Sequence, residues 1–455
     1  MRVSVIGCGH LGAPHAAAMA ELGHEVIGVE LDKDKCAALS AGIAPFYEDG
    51  FGELLAKHVG SGRLRFSTDL AEAADFAEMH FLAVGTPLRE DGCGYDISCL
   101  TGVVESLAPL LWRPCTIVGK STITIGTVAA LQRIIDARST IGEIELVWNP
   151  EFLREGHAVQ DSLSPDRIVV GVSSAAAQKA MEEVYAPILA RGVEMIVTDP
   201  ATAELVKSAA NAFLCTKISY INALSEACSL VDADVNTVAH AIGIDERIGH
   251  AGMRPGIGYG GGCLPKDVAA FSHRLGELGA DRARALLESV RDVNAARIAI
   301  AVELIERAHG GPLDGVPVAF LGASFKAGTS DLRHSPALAL VDRLIALGAR
   351  PVIHDPEAIP GLRRQRPDLR CADTVEEALT GADVVVIATE WPQFTKDASL
   401  PALASAAARG RVLVDVRNAV EADPWSANGW HVWQLGRPAL HPQHGIAAPA
   451  GAGAR

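Results

Sequence analysis

The first thirty residues constrain the fold of this chain more than any other stretch. A short apolar strand runs directly into three glycines spaced as G-x-G-x-x-G, at Gly7, Gly9 and Gly12. A helix rich in small residues follows from Ala13 to Leu22, and a second apolar strand then ends at Glu30. A strand, a glycine turn, a helix and an acid after the second strand are the parts of a βαβ unit that binds a dinucleotide.

Each glycine has a separate physical task in such a unit. Gly7 permits the tight turn, Gly9 lets the backbone approach a pyrophosphate, and Gly12 lets the helix pack on the strand. The phosphates would lie at the helix N-terminus, where backbone N–H groups are unpaired and the dipole is positive. A structural turn without nucleotide is the alternative, and the agreement of the flanking strand, helix and acid weighs against it.

Glu30 predicts which dinucleotide is bound. Its carboxylate would accept hydrogen bonds from a ribose 2′-OH and repel a 2′-phosphate, which favours NAD over NADP. Lys33 and Lys35 lie close by in the sequence and oppose that repulsion.

Composition excludes several classes of partner. The chain has 455 residues, which suggests two to four domains, and a formal net charge of −15. That charge argues against nucleic acid or an anionic membrane as a partner, while leaving room for a local basic pocket. No apolar run reaches membrane-spanning length. The first strand begins at residue 3, which leaves no room for a signal peptide, so we expect a cytoplasmic protein.

Cysteine and histidine usage fits a reduced protein without a metal site. The nine cysteines form no C-x-x-C pair, which indicates reduced thiols. Six of them are expected to be small core residues: Cys8, Cys36, Cys115, Cys215, Cys228 and Cys371. The fifteen histidines show no spacing typical of metal ligands, so we predict no metal.

Strand and helix signals alternate up to about residue 197. The further strands are predicted at residues 79–84, 115–120, 145–148, 168–172 and 194–197. Three strands end in turn or polar residues, namely Gly85-Thr86-Pro87, Ser121-Thr122 and Asn149-Pro150-Glu151. Ligands bind at the carboxyl ends of parallel strands, so these segments are candidates for a shared site. Ordinary loop chemistry is the alternative, because the same residues favour turns.

A long helix is predicted after Asp199. Pro200 suits the first helical position and Asp199 the cap. Residues 201–231 contain no internal Gly or Pro, and they predict one helix about 45 Å long. Lys207 and Asn211 share a face of it. Such a helix is too long for one small domain, so we expect it to link two domains and to pack on a second copy.

A second strand-and-glycine-turn pattern follows another helical region at 281–308. Its strands are predicted from residue 316 to 321 and at 350–354, 384–388 and 412–416, and its turn, residues 322–326, lacks the dinucleotide fingerprint. That turn either binds another nucleotide or is structural. The predicted fold is therefore α/β, with two doubly wound, Rossmann-like domains joined by a central long-helix domain. The predicted boundaries are 1–198, 199–309 and 310–440, with a disordered tail at 441–455.

The run from Gly258 to Asp267 carries a candidate nucleophile. Cys263 lies among glycines, with Lys266 and Asp267 just behind it. A thiol nucleophile needs open approach and help in forming thiolate. Glycines leave space because they lack a Cβ, and Lys266 can favour the thiolate. A glycine-rich turn around a buried cysteine is the alternative for this segment taken alone.

Taken together, these motifs resemble the UDP-glucose/GDP-mannose dehydrogenase family over nearly the whole chain. The matching segments, in order, are the glycine turn at 7–12, Pro45-Phe46-Tyr47-Glu48, 84–87, 120–122, 149–156, 204–207 with Asn211, 245–249, the cysteine loop, 325–326, 329–333 and 414–418. The resemblance implies oxidation of the 6-hydroxyl of a nucleotide sugar to a carboxylate, with two NAD⁺. It implies NAD on the N-terminal domain and the nucleotide sugar largely on the C-terminal one.

Carried over position by position, the resemblance implies that Cys263 is the nucleophile. Lys207 would stabilise oxyanions or shuttle protons, and Asn211 would hold the reacting oxygen. Glu151 and Thr122 would be the acid/base and water-positioning pair. A lysine beside a tetrahedral intermediate supplies charge where charge develops.

Other positions would bind or orient the ligands. Asp267 would order water beside the thiol, Arg247 would reach the substrate of the other subunit, and Lys326 would neutralise the diphosphate. The implied substrate contacts are Glu151, Phe152, Leu153, Arg154, Glu155, Lys207, Asn211, Arg247, Tyr259, Gly260, Cys263, Phe325, Lys326 and Arg417. The implied cofactor contacts are Gly7, Gly9, His10, Leu11, Gly12, Glu30, Lys35, Gly85, Thr86, Pro87, Ser121, Thr122, Glu155, Lys266 and Arg333.

The chain departs from the family pattern at several positions. Gly262 stands where Ser is usual, and Leu264 with Pro265 is similar to the GDP-mannose branch, whereas residues 245–249 resemble the UDP-glucose branch. UDP-glucose is therefore the leading substrate, with TDP-glucose, GDP-mannose and an N-acetylated hexosamine behind it. A non-catalytic nucleotide-sugar-binding protein and a two-electron 3-hydroxyacid dehydrogenase are the rival functions.

Overall fold

A computed structural model describes residues 1–92 and 94–442. These residues form two compact units. The first unit comprises Met1–Phe213 and Lys266–Leu287, and the second comprises Leu214–Pro265 and the chain from Glu288 onward. Residues 443–455 of the predicted tail lie outside the described residues.

The first unit is built on an eight-stranded sheet. Its strands are β1 (Arg2–Ile6), β2 (Glu25–Val29), β3 (Leu64–Ser67), β4 (Met79–Leu82), β5 (Cys115–Gly119), β6 (Ile144–Trp148), β7 (Arg167–Gly171) and β8 (Glu194–Thr198). They lie in the order β3-β2-β1-β4-β5-β6-β7-β8. The pairs are parallel except β6 with β7. The winding direction changes between β1 and β4, which is where dinucleotides bind on such sheets.

Helices cover both faces of this sheet. They are α1 (Gly12–Glu21), α2 (Lys33–Ser40), α3 (Phe51–Gly60), α4 (Leu70–Phe76), α5 (Ser98–Leu107), α6 (Thr127–Arg138), α7 (Ala158–Leu163), α8 (Ala175–Val184) and α9 (Ala186–Leu189), with a short 3₁₀ turn at Ala108–Leu110. Successive strand residues point to opposite faces. In β2, Val26 therefore joins the apolar core on one face and Ile27 the core on the other.

The second unit contains a five-stranded sheet that is parallel throughout. Its strands are β9 (Pro317–Leu321), β10 (Arg350–His354), β11 (Val384–Ile387), β12 (Val412–Asp415) and β13 (His431–Gln434), in the order β10-β9-β11-β12-β13. Its helices are α14 (Pro336–Ala346), α15 (Ile359–Gln365), α16 (Val375–Leu379), α17 (Pro392–Thr395), α18 (Leu400–Ala407) and α19 (Ala422–Ala427). Phe320 and Leu321 belong to separate cores on the two faces.

Four helices lie between the two sheets in the sequence. They are α10 (Pro200–Leu230), α11 (Val235–Gly243), α12 (Leu264–Glu277) and α13 (Asp281–His309). The predicted long helix is confirmed, because α10 has 31 residues. Asp199 caps it as expected, since its carboxylate accepts a hydrogen bond from the Thr202 backbone N–H at 2.9 Å. No helix among the described residues has the length and apolar character needed to cross a membrane.

The α/β fold class with two doubly wound sheets is confirmed, and one expectation about the core is wrong. Five of the six cysteines expected in the core are buried, but Cys371 is only half-buried. It lies in the loop beside the edge strand β10, to which it adds a single bridge at Ile353.

Candidate active site

The turn after β1 has the shape of a phosphate cradle. A Cβ at Gly12 would overlap the Gly7 carbonyl oxygen, and Gly7 has a φ of 91°. At Gly9, no atom lies within 4 Å of where a Cβ would be, so the backbone there is open to a ligand. No side chain caps the N-terminus of α1. These features fit the pyrophosphate of a dinucleotide.

Glu30 lies at the end of β2, and it is paired. Lys35 Nζ lies 3.0 Å from Glu30 Oε2, and the backbone N–H of Asp32 donates to Glu30 Oε1 at 3.1 Å. Lys35 therefore offsets part of the charge with which Glu30 would repel a 2′-phosphate. Any preference of this site for NAD would then come mainly from hydrogen bonds between Glu30 and the ribose.

The polar loops after β4 and β5 are hydrogen-bonded to one another. The Thr86 hydroxyl donates to the Thr122 carbonyl at 2.7 Å, and the Ser121 hydroxyl donates to the Val84 carbonyl at 2.6 Å. Thr86, Ser121 and Thr122 are all buried. The expected gathering of these loops at one edge of the sheet is confirmed, and Gly85 and Pro87 lie in the first of them.

Two catalytic candidates form a buried ion pair: Glu151 lies in the loop after β6, and Lys207 lies on α10. Lys207 Nζ lies 3.0 Å from Glu151 Oε1, with both side chains almost fully shielded from solvent. Glu151 Oε2 accepts the Leu153 backbone N–H at 2.6 Å. The Phe152 ring contacts two cations, with Lys207 Nζ 5.6 Å and the Arg167 guanidinium carbon 3.9 Å from its centre. The Glu151 carboxylate compensates the buried Lys207 ammonium, and a cation in such a site suits a developing oxyanion.

The rest of that loop is anchored from outside it. Glu48 is buried and accepts the backbone N–H groups of Gly156 and Ala158 at 2.8 and 2.7 Å. Arg154, which is expected to contact substrate, makes a two-pronged ion pair with Asp161. Glu155 lies half-buried between these anchors.

Asp267 gathers three hydrogen-bond donors in the first turns of α12. Its Oδ2 accepts from the Asn211 side-chain amide at 2.6 Å, and its Oδ1 accepts from Lys266 Nζ at 2.6 Å. Tyr95, which the sequence did not single out, donates its hydroxyl to the same Oδ1 at 2.8 Å. The carboxylate is 1% exposed. Lys266, expected to favour the thiolate of Cys263, thus already shares its charge with Asp267.

Another buried lysine, Lys120, directly follows β5. Lys120 Nζ donates to the Asn149 side-chain oxygen at 3.0 Å and lies 3.4 Å from the Tyr185 hydroxyl. Asn149 also bonds Tyr185 and the Val169 carbonyl. Burial lowers the pKa of Lys120 to about 8, with Glu151 opposing the shift and Lys207 adding to it. Lys120 thereby fixes Asn149, two residues before Glu151.

Glu204 fixes the start of α10. Its carboxylate accepts the backbone N–H groups of Gly126 and Val128 at 2.7 and 2.8 Å, where α6 has no cap of its own. Burial raises the pKa of Glu204, against these hydrogen bonds. Lys207 and Asn211 follow on the next two turns, so this contact sets where both side chains lie.

In the second unit, the glycines around Cys263 serve close packing rather than open approach. A Cβ at Gly260 would overlap the His334 carbonyl oxygen, one at Gly261 the Phe325 ring, and one at Gly262 the Arg333 guanidinium. The expectation that these glycines leave empty space is therefore wrong at these positions, since residues after β9 fill it. Phe325 and Arg333, both expected ligand contacts, lie directly against the cysteine loop.

Other ligand candidates of the second unit also contact this loop. The Arg417 guanidinium is paired with Glu390 at 2.8 Å and lies 3.5 Å from the Gly258 carbonyl oxygen. Burial opposes ionisation of Glu390, but Arg417, a backbone hydrogen bond and Arg254 together outweigh it and lower the pKa of that carboxyl. The Asn294 side chain bonds the backbone N–H and carbonyl of Tyr259.

Each of three further ligand candidates has one described side-chain contact that locates it. Lys326 Nζ lies 5.8 Å from the centre of the Phe325 ring. Arg247 is largely exposed and bonds Asp245. His10 packs on Phe46, with 4.2 Å between ring centres. Among the described residues, no three His, Cys, Asp or Glu side chains are grouped as metal ligands.

In the glycine turn after β9, the backbone N–H groups of Ala323 and Ser324 are already hydrogen-bonded. Asp355 follows β10, where an acid binds ribose in a dinucleotide site, but here its Oδ2 accepts the backbone N–H groups of Ala323 and Ser324 at 2.8 and 3.0 Å. Trp391 Nε1 donates to the same oxygen. The N–H groups that would hold a phosphate are taken, so this turn does not repeat the cradle of the first unit.

Family models match most of the chain. The NAD binding domain of the UDP-glucose/GDP-mannose dehydrogenase family matches residues 1–189, its central domain matches 201–296, and its UDP binding domain matches 319–422.

Named relatives agree with these matches. UDP-glucose 6-dehydrogenase of Rhizobium meliloti is 38% identical over 96% of this chain and 100% of its own length. The enzyme of the same name from Pseudomonas aeruginosa is 37% identical over 96% and 98%. A UDP-glucose dehydrogenase structure from Pyrobaculum islandicum superposes with a TM-score of 0.85 at 33% identity, covering 93% of this chain and 95% of that one.

The glycine cradle and the buried lysine–carboxylate cluster fit a dehydrogenase with a dinucleotide cofactor. The chain belongs to the UDP-glucose/GDP-mannose dehydrogenase family, and it is an oxidoreductase with NAD as its cofactor.

Proposed function

We propose that this enzyme oxidises UDP-glucose to UDP-glucuronate, using two NAD⁺ and one water. The observation that carries the proposal is the buried cluster in which Lys207 pairs with Glu151 and Asn211 bonds Asp267. Such a cluster offers a cation for a developing oxyanion, an amide to hold the oxygen, and two carboxylates for proton transfer. The names of the relatives at 36–38% identity support the sugar.

We propose that NAD lies on the glycine turn after β1, with Glu30 on its ribose. When bound, NAD⁺ supplies a hydride acceptor for each of the two oxidations. The substrate's diphosphate would lie with Phe325 and Lys326, and Arg417 would bind the sugar nucleotide.

The thiol of Cys263 would divide the reaction into manageable steps. The first oxidation gives an aldehyde at C6, and the thiolate adds to it to form a thiohemiacetal. The second oxidation turns that adduct into a thioester, and water then releases the acid. Lys207 and Asn211 would hold the oxygen on C6 throughout, while Glu151 with Thr122 would move protons and place the water. The covalent adduct keeps a reactive aldehyde from leaving.

A panel of nucleotide sugars scored by NADH formation tests the function. We expect two NADH per UDP-glucose and much slower turnover of TDP-glucose, GDP-mannose and UDP-N-acetylhexosamines. A preference for an N-acetylated sugar would change the proposed substrate but leave the proposed chemistry unchanged. A Pyrococcus horikoshii UDP-D-ManNAc dehydrogenase structure, 25% identical with a TM-score of 0.82, keeps that alternative open. One NADH per sugar would indicate a two-electron enzyme. If no sugar in the panel gave NADH, the protein would be a nucleotide-sugar-binding protein without this activity.

We also propose the domain organisation predicted from the sequence, because each domain has a part in this function. It comprises an NAD-binding domain (1–198), a central helical domain (199–309) and a nucleotide-sugar-binding domain (310–440). We further propose a cytoplasmic homodimer that binds neither nucleic acid nor membrane, with Arg247 of each subunit reaching the other subunit's substrate.

A further inference from the structure

Tyr95 contacts the carboxylate of Asp267 from the later part of the loop after β4, and the mechanism above gives Tyr95 no role. The residue is buried, and it is held by a bridge to Leu88 across the loop after β4. Its hydroxyl donates to Asp267 Oδ1 at 2.8 Å, across 172 positions of sequence. The Lys266 ammonium donates to the same oxygen and lies 4.8 Å from the centre of the Tyr95 ring. The ring and the hydroxyl thus contact both members of one ion pair.

The two oxygens of Asp267 are unequally occupied. A carboxylate has about four acceptor positions, two on each oxygen. Tyr95 and Lys266 fill those of Oδ1, whereas the Asn211 amide takes one on Oδ2. A water that needs a proton acceptor is therefore directed to Oδ2, next to the amide that would hold the substrate oxygen.

We propose that Tyr95 is a positioning residue for the hydrolytic half of the reaction, acting by saturating Oδ1 of Asp267. The proposal rests on the function proposed above. In this step the water oxygen bonds to the acyl carbon, and a water proton passes to Asp267 Oδ2. The carbon–sulfur bond breaks, and its electron pair leaves with the Cys263 thiolate. The carboxylic acid so formed then ionises. Without the tyrosine hydroxyl, Oδ1 competes for the water and the attack is misdirected.

Tyr95→Phe isolates the hydroxyl, because it keeps the ring under Lys266. Losing a hydrogen bond to a charged group corresponds to a fall in kcat of about 10- to 100-fold. We expect that fall with an unchanged or lower KM for the sugar. Rapid mixing should show a burst approaching two NADH per active site, and intact-protein mass spectrometry should show an acyl group on Cys263. A merely structural role would slow the first hydride transfer as well and give neither burst nor adduct.

Three further variants complete the test. Lys266→Met removes the other donor from Oδ1 and should give the same burst, even if Tyr95→Phe folds poorly. Tyr95→Leu should lose the ring contact as well and slow hydrolysis at least as much. Tyr220→Phe makes the same chemical change on an exposed tyrosine of α10 and should behave as the parent. If Tyr95→Phe and Lys266→Met both had parental kinetics and no burst, the role of Tyr95 would be overturned, while the proposed function would stand. A parent that makes no NADH would overturn the proposed function as well.

Discussion

At the scale of residues, the buried charges of the first unit occur in sets, and each set fixes a different part of the site. Lys207 pairs with Glu151, Asp267 collects three donors, and Lys120 holds Asn149. Removing one partner of a buried pair leaves an uncompensated charge, which costs more than the pair contributes. Conservative substitutions in this cluster should therefore alter activity and stability together.

Cys263 gives the sharpest test at this scale. Cys263→Ala should lose acid formation by several orders of magnitude while still binding NAD and substrate, because no covalent adduct can form. Cys263→Ser should form an acyl ester that accumulates, since an alkoxide leaves less readily than a thiolate. Steady-state rates, cofactor titration and intact-protein mass spectrometry measure these outcomes. Cys99→Ala, at an exposed cysteine of α5, is the matched control. Near-parental acid formation by Cys263→Ala would exclude the thioester route.

Lys120 should give stability an alkaline pH dependence. Its folded pKa is about 8, against an ordinary value of 10.5. Between these values the unfolded chain binds the extra proton, so stability rises with pH over that range, and below pH 8 the group adds no slope. Summed over the range, the rise is about 3 kcal/mol. Urea unfolding followed by the fluorescence of buried Trp148 should show this rise flattened in Lys120→Met but not in Lys179→Met. Equal slopes in Lys120→Met and the parent would show that Lys120 is not desolvated.

The sequence predicts site residues where chemistry and local pattern coincide. The glycine turn, Glu30 and the loops after β4 and β5 follow from strand ends and spacing. Helix periodicity only puts Lys207 and Asn211 on one face, and it is the family resemblance that makes them site residues. Tyr95 and Glu390 have no such signal, because each acts through a contact distant in sequence. The glycines near Cys263 show the same limit, since the residues that fill their space come more than sixty positions later.

At the scale of elements, the predicted strands agree with the structure to within a residue or two, and two strands were missed. Both missed strands, β3 and β13, are edge strands of four residues. A central strand is buried on both faces and reads as a continuous apolar run. β3 and β13 instead contain polar or half-buried residues. They are strands because they pair with a neighbouring strand, which their own sequence pattern does not show.

Glu204 couples two elements, α6 and α10, and its removal should be costly. Glu204→Ala leaves two backbone N–H groups at the start of α6 without an acceptor, which should lower the free energy of unfolding by about 2–4 kcal/mol. It should also lower kcat, because Lys207 and Asn211 lie on the next turns of α10. Glu204→Gln keeps an acceptor oxygen and should lose less. Glu183→Ala, at an exposed surface pair, should change stability by less than about 0.5 kcal/mol. A Glu204→Ala protein as stable as the Glu183→Ala control would show that this contact does not hold the two helices together.

At the scale of the whole molecule, the two sheets are both doubly wound but differ in strand order, and their glycine turns differ in use. The first keeps its glycine turn open for a ligand, whereas in the second Asp355 occupies the equivalent N–H groups. In the proposed function, a nucleotide sugar would therefore be held by side chains after β9, such as Lys326, rather than by a backbone cradle. The net charge of −15 makes such local cations necessary for a diphosphate to bind.

Assembly is the last prediction, and it depends on α10. Leu205 and Phe213 lie within one face of this helix and are 41% and 65% exposed, although both are large and apolar. A self-complementary contact of that face with a second copy would bury it about a two-fold axis. Light scattering at micromolar concentration should give at least twice the 47.7 kDa chain mass. Phe213→Asp should shift the protein toward the single-chain mass, because a buried unpaired charge opposes association. Trp112→Asp, which changes an exposed aromatic residue outside α10, should leave the mass unchanged. A fully active parent that stays monomeric would rule out this interface, and with it any role for Arg247 in the other subunit's site.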